Sequence, residues 1–392
     1  MIQVRLFAVL RERAASDSVE VELDEGATVR DAIEAVGRTP GLSDPISRLK
    51  VVMAVNREYA QMDVVLRDGD ELALIPPVSG GADEVATTER TGPFWDAVEG
   101  RAPPPPCARL LGWTPLEVEP GFTRIAFEAK PEFLNPIGVV QGGFLAAMLD
   151  DTMGPAAVAQ RDGNVFTPTL ELKVSFLRPV RAGRLIAEGR VLHMGRSVAF
   201  LAGSLIDGED EVVATATATS RIVPMERAKA RAEHADGGRP TTRGPRDGEV
   251  DPDFIELVSS KVGEISDATR VLGSWPLGAS PGSARVEFHA RGEFLNPAGA
   301  VQGGFLAAML DDTMGPAALT LLDSGQIVPT LELKTSFLRP VGPGLLIGEA
   351  RVVHKGRSVV FTEATLTDAH GVIVAHATGT ARIVPFKEAP PQ

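Results

Sequence analysis

The sequence predicts an α+β protein built from a small mixed unit followed by two copies of a larger one, and three observations carry that expectation. Residues 132–224 return at 293–385 without a gap, and 60 of the 93 positions are identical. A repeat of this length is too long for a solenoid unit and reads as a duplicated domain whose copies pair as a homodimer would. In each copy one apolar helical stretch precedes a run of alternating strand patterns, which suggests an antiparallel sheet wrapped around a central helix. Ahead of the repeat, residues 1–81 read strand, strand, helix, strands. The expected boundaries are 1–81, a polar linker at 82–92, the first copy at 93–224, a charged linker at 225–250 and the second copy at 251–386.

Composition narrows the function. The chain has 392 residues, 44% of them hydrophobic, and a net charge of −13. That charge argues against a sequence-independent grip on nucleic acid and against an anionic membrane surface. Cys107 stands alone, so neither a disulfide framework nor a cysteine zinc site is expected, and the six histidines lack metal-ligand spacing. No metal or resident cofactor is expected. The N-terminal apolar run is broken by arginines, unlike a signal peptide, and a cytoplasmic protein is expected.

In the first unit, Ile2, Val4 and Leu6 alternate with polar neighbours as a half-buried strand would, and Val19, Val21 and Leu23 repeat the pattern. Asp24-Glu-Gly26 is a turn, and Thr28 can cap a helix with Ala32, Ile33 and Val36 on one face. Val51–Val55 is a strand, Asp68-Gly69 a turn and Glu71–Ile75 the last strand. This order, with Asp68-Gly-Asp-Glu71 and the ending Leu74-Ile-Pro-Pro-Val-Ser-Gly-Gly81, resembles the β-grasp sulfur carriers of the MoaD and ThiS type, relatives of ubiquitin. The resemblance implies that an E1-like adenylyltransferase activates a terminal glycine carboxylate, which becomes a thiocarboxylate and serves the large subunit of molybdopterin synthase. A Gly80-Gly81 tail suits this because it can thread into a partner's active site. In this chain Ala82 follows Gly81, so the carbonyl is held in a peptide bond. Either a protease cuts after Gly81 or the domain is a fused module.

In the first copy, Phe94–Val98 is expected as a short helix, Pro103–Pro106 as a stiff polyproline segment and Thr123–Ala129 as a strand. The helical stretch opens at Gln141-Gly142-Gly143, and Pro155 should kink or end it. Leu170, Leu172, Val174 and Phe176 then alternate with polar residues, followed by strands at Leu185–Leu192, Ser197–Ile206 and Val212–Val223.

The repeated words Asn-Pro-x-Gly-x-x-Gln-Gly-Gly-(x)6-Asp, Pro-Thr-Leu-Glu-Leu-Lys-x-Ser-Phe-Leu-Arg-Pro-Val and Gly-Arg-Ser resemble the PaaI-type hotdog acyl-CoA thioesterases in both copies. The expected activity is hydrolysis of an acyl- or aryl-CoA thioester, with the coenzyme A moiety entering only as part of the substrate. That chemistry needs a group to activate water and donors aimed at the developing oxyanion. Unpaired N–H groups at the positive end of the helix make Gly142 and Gly303 the oxyanion candidates. Asp150 lies among Ala146, Ala147, Met153 and Gly154, and a carboxylate kept in an apolar helix suggests use. The family's acid has this spacing, so Asp150 and Asp311 are the expected general base or nucleophile, with Asp151 and Asp312 as the alternative.

Gln141 and Gln302 stand where relatives more often have histidine; glutamine can donate to a carbonyl but cannot shuttle a proton. The resemblance also implies that Asn135 and Asn296 position water or carbonyl and that Thr169 and Thr330 orient the acid. It further implies that the Asn-Gly-Gly side of each site comes from one copy and the acid from the other, giving two composite sites in one chain. Arg196 and Arg357, with Gly195 and Gly356, are expected to grip the coenzyme A phosphates at strand turns. Competing readings are a sulfur carrier released after Gly81, a hotdog pair that binds acyl-CoA without hydrolysing it, and a hydratase, which would want a histidine near the acid. Phe144, Met148 and Met153 fit either an acyl pocket or the core.

Overall fold

The computed structural model describes residues 90–233, 256 and 265–385, and residues 2–75 apart from 8, 9, 12, 13, 15, 25, 40–51, 57, 61 and 63. Gly80, Gly81 and the expected linker residues 234–250 lie outside the described residues. The chain divides into two compact units, Met1–Glu89 and Arg90–Gln392.

The described residues of the first unit include a five-stranded sheet in the order β2-β1-β5-β3-β4 and a helix packed on it at Val29–Val36. Its strands are β1 (Ile2–Leu6), β2 (Ser18–Val21), β3 (Val52–Val55), β4 (Glu58–Tyr59) and β5 (Glu71–Ile75). The first and last strands, β1 and β5, run parallel, while β2 and β3 pair antiparallel on either side of them. Helix α1 (Val29–Val36) starts where Asp31 accepts the Thr28 N–H at 2.7 Å, closing the N-terminal turn. Ala32 and Val36 are buried with Ile2, Val4, Leu72 and Leu74, whereas Ile33 is only half-buried. Gly69 takes a positive φ at the turn before β5, where Asp70 accepts the Arg67 N–H at 2.8 Å.

The second unit holds both copies. The first contains α2 (Pro93–Val98), α3 (Pro106–Leu111), β6 (Thr114–Glu119), β7 (Phe122–Ala129), α4 (Gly142–Ala159), β8 (Val165–Phe166), β9 (Thr169–Phe176), β10 (Gly183–Met194), β11 (Val198–Ile206), β12 (Val212–Arg221) and β13 (Val223–Pro224). A helix α5 (Met225–Glu233) follows. The second copy contains α6 (Asp267–Val271), β14 (Ser274–Ser280), β15 (Ser283–Ala290), α7 (Gly303–Leu319), β16 (Gln326–Ile327), β17 (Thr330–Phe337), β18 (Gly344–Lys355), β19 (Val359–Asp368), β20 (Ile373–Arg382) and β21 (Val384–Pro385).

Each copy is a sheet curled around its helix, and β9 pairs antiparallel with β17 to fuse the two into one twelve-stranded sheet. Lys173 lies opposite Lys334, its own counterpart in the repeat, so a pseudo-two-fold axis passes through that pair. Each lysine reaches a glutamate of the other copy, Lys173 to Glu332 at 2.9 Å and Lys334 to Glu171 at 3.3 Å. These exposed ion pairs contribute no more than about 1 kcal/mol each. The cohesion comes from α4 packed on α7 and from four phenylalanines in a row. Phe133 stacks on Phe144, Phe144 meets Phe305 edge-on, and Phe305 stacks on Phe294. Phe144, Met148 and Met153 are therefore core residues, all fully enclosed.

Three expectations need correction. Pro155 and Pro316 do not end their helices, which run on to Ala159 and Leu319. The residues after Pro155, including Ala156, Ala157 and Ala159, are buried, and that packing offsets the one backbone bond the proline removes. Leu170 does not join the inward face of β9, because a bulge between Thr169 and Glu171 resets the alternation. Leu170 is exposed, and Thr169 is turned toward α4. Two strands precede the central helix of each copy rather than one, since β6 pairs with β7 as β14 does with β15. Among the described residues, no helix is long and apolar enough to cross a membrane.

Candidate active site

Antiparallel packing of α4 on α7 sets the acid of each helix against the first turn of the other. Asp150 Oδ1 accepts the Thr169 hydroxyl at 2.7 Å, and its Oδ2 accepts the Gly304 N–H at 3.0 Å. Asp311 repeats the arrangement, taking the Thr330 hydroxyl at 2.8 Å and the Gly143 N–H. Space beside the carboxylates is tight: a Cβ on Gly303 would stand 3.2 Å from Asp150 Oδ2, and one on Gly142 would stand 3.1 Å from the Phe176 ring and 3.4 Å from Asp311 Oδ2. The two sites are thus composite, each drawing on both copies.

Both acids are buried, and burial pushes each carboxyl up to about 6. Desolvation of the carboxylate is the main cause, opposed by the threonine hydroxyl and the backbone N–H. At Asp311 the charge of Asp312 adds to the rise. Asp151 is also raised, by burial and by the charge of Asp150. Asp312 is raised by burial, against donors on Thr269, Ser274 and Gln141. A carboxyl near 6 is ionised at neutral pH while remaining basic enough to take a proton.

Around Asp311 lies a cavity of about 500 Å³, walled by Asn135, Gln141, Gly142 and Phe176 from one copy and by Asp311, Asp312 and Thr330 from the other. No hydrogen bond to the Gly142 or Gly303 N–H is made among the described residues, so both donors remain available at helix N-termini. The glutamines behave differently from one another. Gln141 Nε2 donates to Asp312 Oδ1 at 2.9 Å, whereas Gln302 Nε2 donates to the Ala147 carbonyl at 3.3 Å and its Oε1 accepts the Phe305 N–H at 3.2 Å. Asn135 Oδ1 accepts the N–H groups of Ile137 and Val139, and Asn296 does the same for Ala298 and Ala300, so both asparagine carbonyls close turns. Only the amide Nδ2 of each is left for a ligand.

The residues expected to grip phosphate lie on two strand turns. Arg196 and Arg357 are exposed on the β10–β11 and β18–β19 turns and do not border the cavity. The Gly195 and Gly356 N–H groups donate to Val198 and Val359 carbonyls across those turns, which removes them as anion donors. The arginines that do border the cavity are Arg178 and Arg382. Sequence reasoning also missed Thr269 and Ser274, whose short elements lie outside the ungapped repeat block. Among the described residues, no cluster of three or more metal-ligating side chains occurs.

Comparison with known proteins agrees with both halves of this picture. The ThiS family model matches residues 4–81, and the thioesterase superfamily model matches residues 137–214 and again 298–375. A Saccharolobus solfataricus protein named "Putative esterase" is 38% identical over 106 residues, covering 27% of this chain and 75% of its own. The molybdopterin synthase sulfur carrier subunit of Arabidopsis thaliana is 37% identical over 81 residues, covering 20% of this chain and 82% of its own. A solved Ralstonia eutropha structure titled a putative thioesterase, phenylacetic acid degradation-related protein, is 39% identical. That match covers 33% of this chain and 98% of the other, with a TM-score of 0.31. The acid that each central helix sets against the first turn of the other is thus accompanied by matching sequence, and the chain belongs to the thioesterase superfamily through its duplicated unit and to the ThiS family through its first.

Proposed function

We propose that the duplicated unit hydrolyses acyl- or aryl-CoA thioesters in the manner of the PaaI-type enzymes. The observation that carries this reading is the buried carboxylate, raised to about 6, set beside an unpaired helix N-terminal N–H in an open cavity. The thioester carbonyl oxygen lies at the Gly142 N–H, or at Gly303 in the second site. Water is held by Asp311 or Asp150, whose carboxylate takes one of its protons as the new C–O bond forms. Negative charge gathers on the carbonyl oxygen, where the N–H and the helix dipole stabilise it. The C–S bond then breaks, the aspartic acid returns its proton to the leaving sulfur, and the carboxylic acid and coenzyme A thiol depart. Thr169 and Thr330 hold the carboxylates in line.

The test is release of thiol by the full-length chain from short, medium, long and aromatic acyl-CoAs between pH 5 and 8. Because the carboxylate form is the working one, kcat should rise about tenfold per pH unit below about 6 and level off above it. Thr169→Val with Thr330→Val removes a hydrogen bond that favours the charged form and should move that midpoint upward. A profile flat from pH 5 to 8 would contradict the aspartate as base.

A second reading applies to the first unit, whose family match runs through Gly81. We propose that it acts as a sulfur carrier once a protease frees the Gly81 carboxylate, with an E1-like adenylyltransferase and a molybdopterin-synthase large subunit as partners. Mass spectrometry of the chain recovered from its own cells should then find a fragment ending at Gly81. Recovery of the uncut chain alone would leave the unit as a fused module.

A further inference from the structure

The two composite sites are written with the same repeated residues, yet they differ in the network behind the acid. At the Asp311 site, Asp312 accepts from Gln141 Nε2 and Thr269 Oγ1, each at 2.9 Å, and from the Ser274 hydroxyl. Gln141 lines the cavity, and with its amide nitrogen drawn to Asp312 its Oε1 is left buried without a protein partner among the described residues. Gln141 is itself only 9% exposed. A buried carbonyl oxygen left without a donor is costly, so it calls for a donor from what occupies the cavity.

At the other site this network is missing. The positions matching Thr269 and Ser274 are Ala108 and Trp113, an alignment that the paired registers of β6–β7 and β14–β15 confirm. Asp151 is left with the Cys107 thiol at 3.9 Å, and its Oδ2 has no partner among the described residues. Gln302 engages backbone at both ends of its amide, Phe305 on its own helix and Ala147 on the opposite one. One lone pair of its oxygen is thus already committed to capping α7.

We infer that the two sites are unequal, and that the Asp311 site carries most of the turnover because Asp312, Thr269 and Ser274 hold Gln141 with its Oε1 ready to accept a hydrogen bond from the attacking water. Resting on the hydrolase reading, this makes Asp312 a positioning residue. Water donates one O–H to the Asp311 carboxylate and the other to Gln141 Oε1, which directs a lone pair at the thioester carbon. The first proton passes to Asp311 and on to the leaving sulfur, and the second stays with the carboxylic acid product.

The experiment is steady-state thiol release by the full-length chain with its best acyl-CoA, comparing matched variants of the two sites. Asp311→Asn should lower kcat at least about five times more than Asp150→Asn. Asp312→Ala should lower kcat about tenfold with KM within about twofold, because what is lost is alignment in the transition state. Asp312→Asn should restore most of that loss, since its Oδ1 still accepts from Gln141, and Asp151→Ala should cost far less. Should Asp312→Ala fail to fold, Thr269→Val removes one support of the same network and should move kcat in the same direction. In the Asp311→Asn background, Ala108→Thr with Trp113→Ser should raise the residual rate of the remaining site. Equal losses from Asp150→Asn and Asp311→Asn, or from Asp151→Ala and Asp312→Ala, overturn the inequality and leave the hydrolase reading standing. An Asp150→Asn/Asp311→Asn variant as active as the parent, or a parent that releases no thiol, overturns both.

Discussion

The Asp150→Asn/Asp311→Asn double variant should retain less than about a thousandth of the parental kcat and yet be the more stable protein at neutral pH. The loss of rate follows from removing the water-activating base at both sites. The gain in stability follows from the cost of keeping those bases charged. Each carboxyl sits at about 6 in the folded chain against an ordinary aspartate value of 3.8. A raised acid means that the folded state binds its proton more tightly than the unfolded state does. Its stabilising contribution is complete below about pH 3.8 and is lost as pH rises through about 6. A shift of that size corresponds to roughly 3 kcal/mol per acid at neutral pH. Asparagine stays neutral and its Oδ1 can keep the threonine bond, but its Nδ2 would face the Gly304 or Gly143 N–H and return part of the gain. The expected net is about 1–2 kcal/mol per site. Urea unfolding at pH 4.5 and 7.5 checks it: the advantage of the variant over the parent should grow with pH. Asp151 and Asp312 still titrate in the variant, so its own pH slope shrinks rather than vanishes. An advantage that is the same at both pH values would mean that the two aspartates are not held near 6.

How far this site could be read from sequence depends on which physical relation each residue expresses. Asp150 was legible because a carboxylate inside Phe144–Met153 conflicts with its apolar neighbours, and the repeat writes that conflict twice. Gly142 and Gly143 were legible as a helix start, and the pairing of copies followed from the repeat itself. The bond between Gln141 and Asp312 spans 171 residues and comes from helix-on-helix packing, for which local pattern holds no signal. The bulge at Leu170 was hidden for a similar reason: strict alternation through Phe176 is the simplest reading, and only the pairing with β12 shows where the register slips. Pro155 misled because its helix-breaking tendency is local, while the burial that overrides it is tertiary. The chemistry that marks the sites as different lies in Ala108, Trp113, Thr269 and Ser274, where the copies have diverged and the repeat therefore offers no emphasis.

Gly304→Ala should be the most damaging single methyl that can be added to this chain's central helices, and Gly143→Ala its equal. Their null φ requirement makes the point sharper, since neither glycine has a positive φ and the backbone alone would accept alanine. What forbids it is the neighbouring helix. A Cβ on Gly304 would stand 2.9 Å from the Ala147 Cβ and closer still to the Ala147 Cα, and one on Gly143 would stand 2.6 Å from the Ala308 Cβ. Both opposing atoms belong to short side chains or backbone, so no rotamer can relieve the contact, and α4 must move off α7. Overpacking of this kind costs about 1–3 kcal/mol, and here it also draws the Gly304 N–H away from Asp150 or the Gly143 N–H away from Asp311. Gly154→Ala, in the same helix as Gly143, is the control. Its nearest neighbour would be the Thr167 hydroxyl at 3.7 Å, and the better helix propensity of alanine should make it neutral or stabilising by up to about 1 kcal/mol. Thermal unfolding of the three variants separates the effects. If Gly304→Ala melted with Gly154→Ala, the helices would not be in glycine-limited contact, and the placement of each acid against the opposite helix N-terminus would lose its foundation.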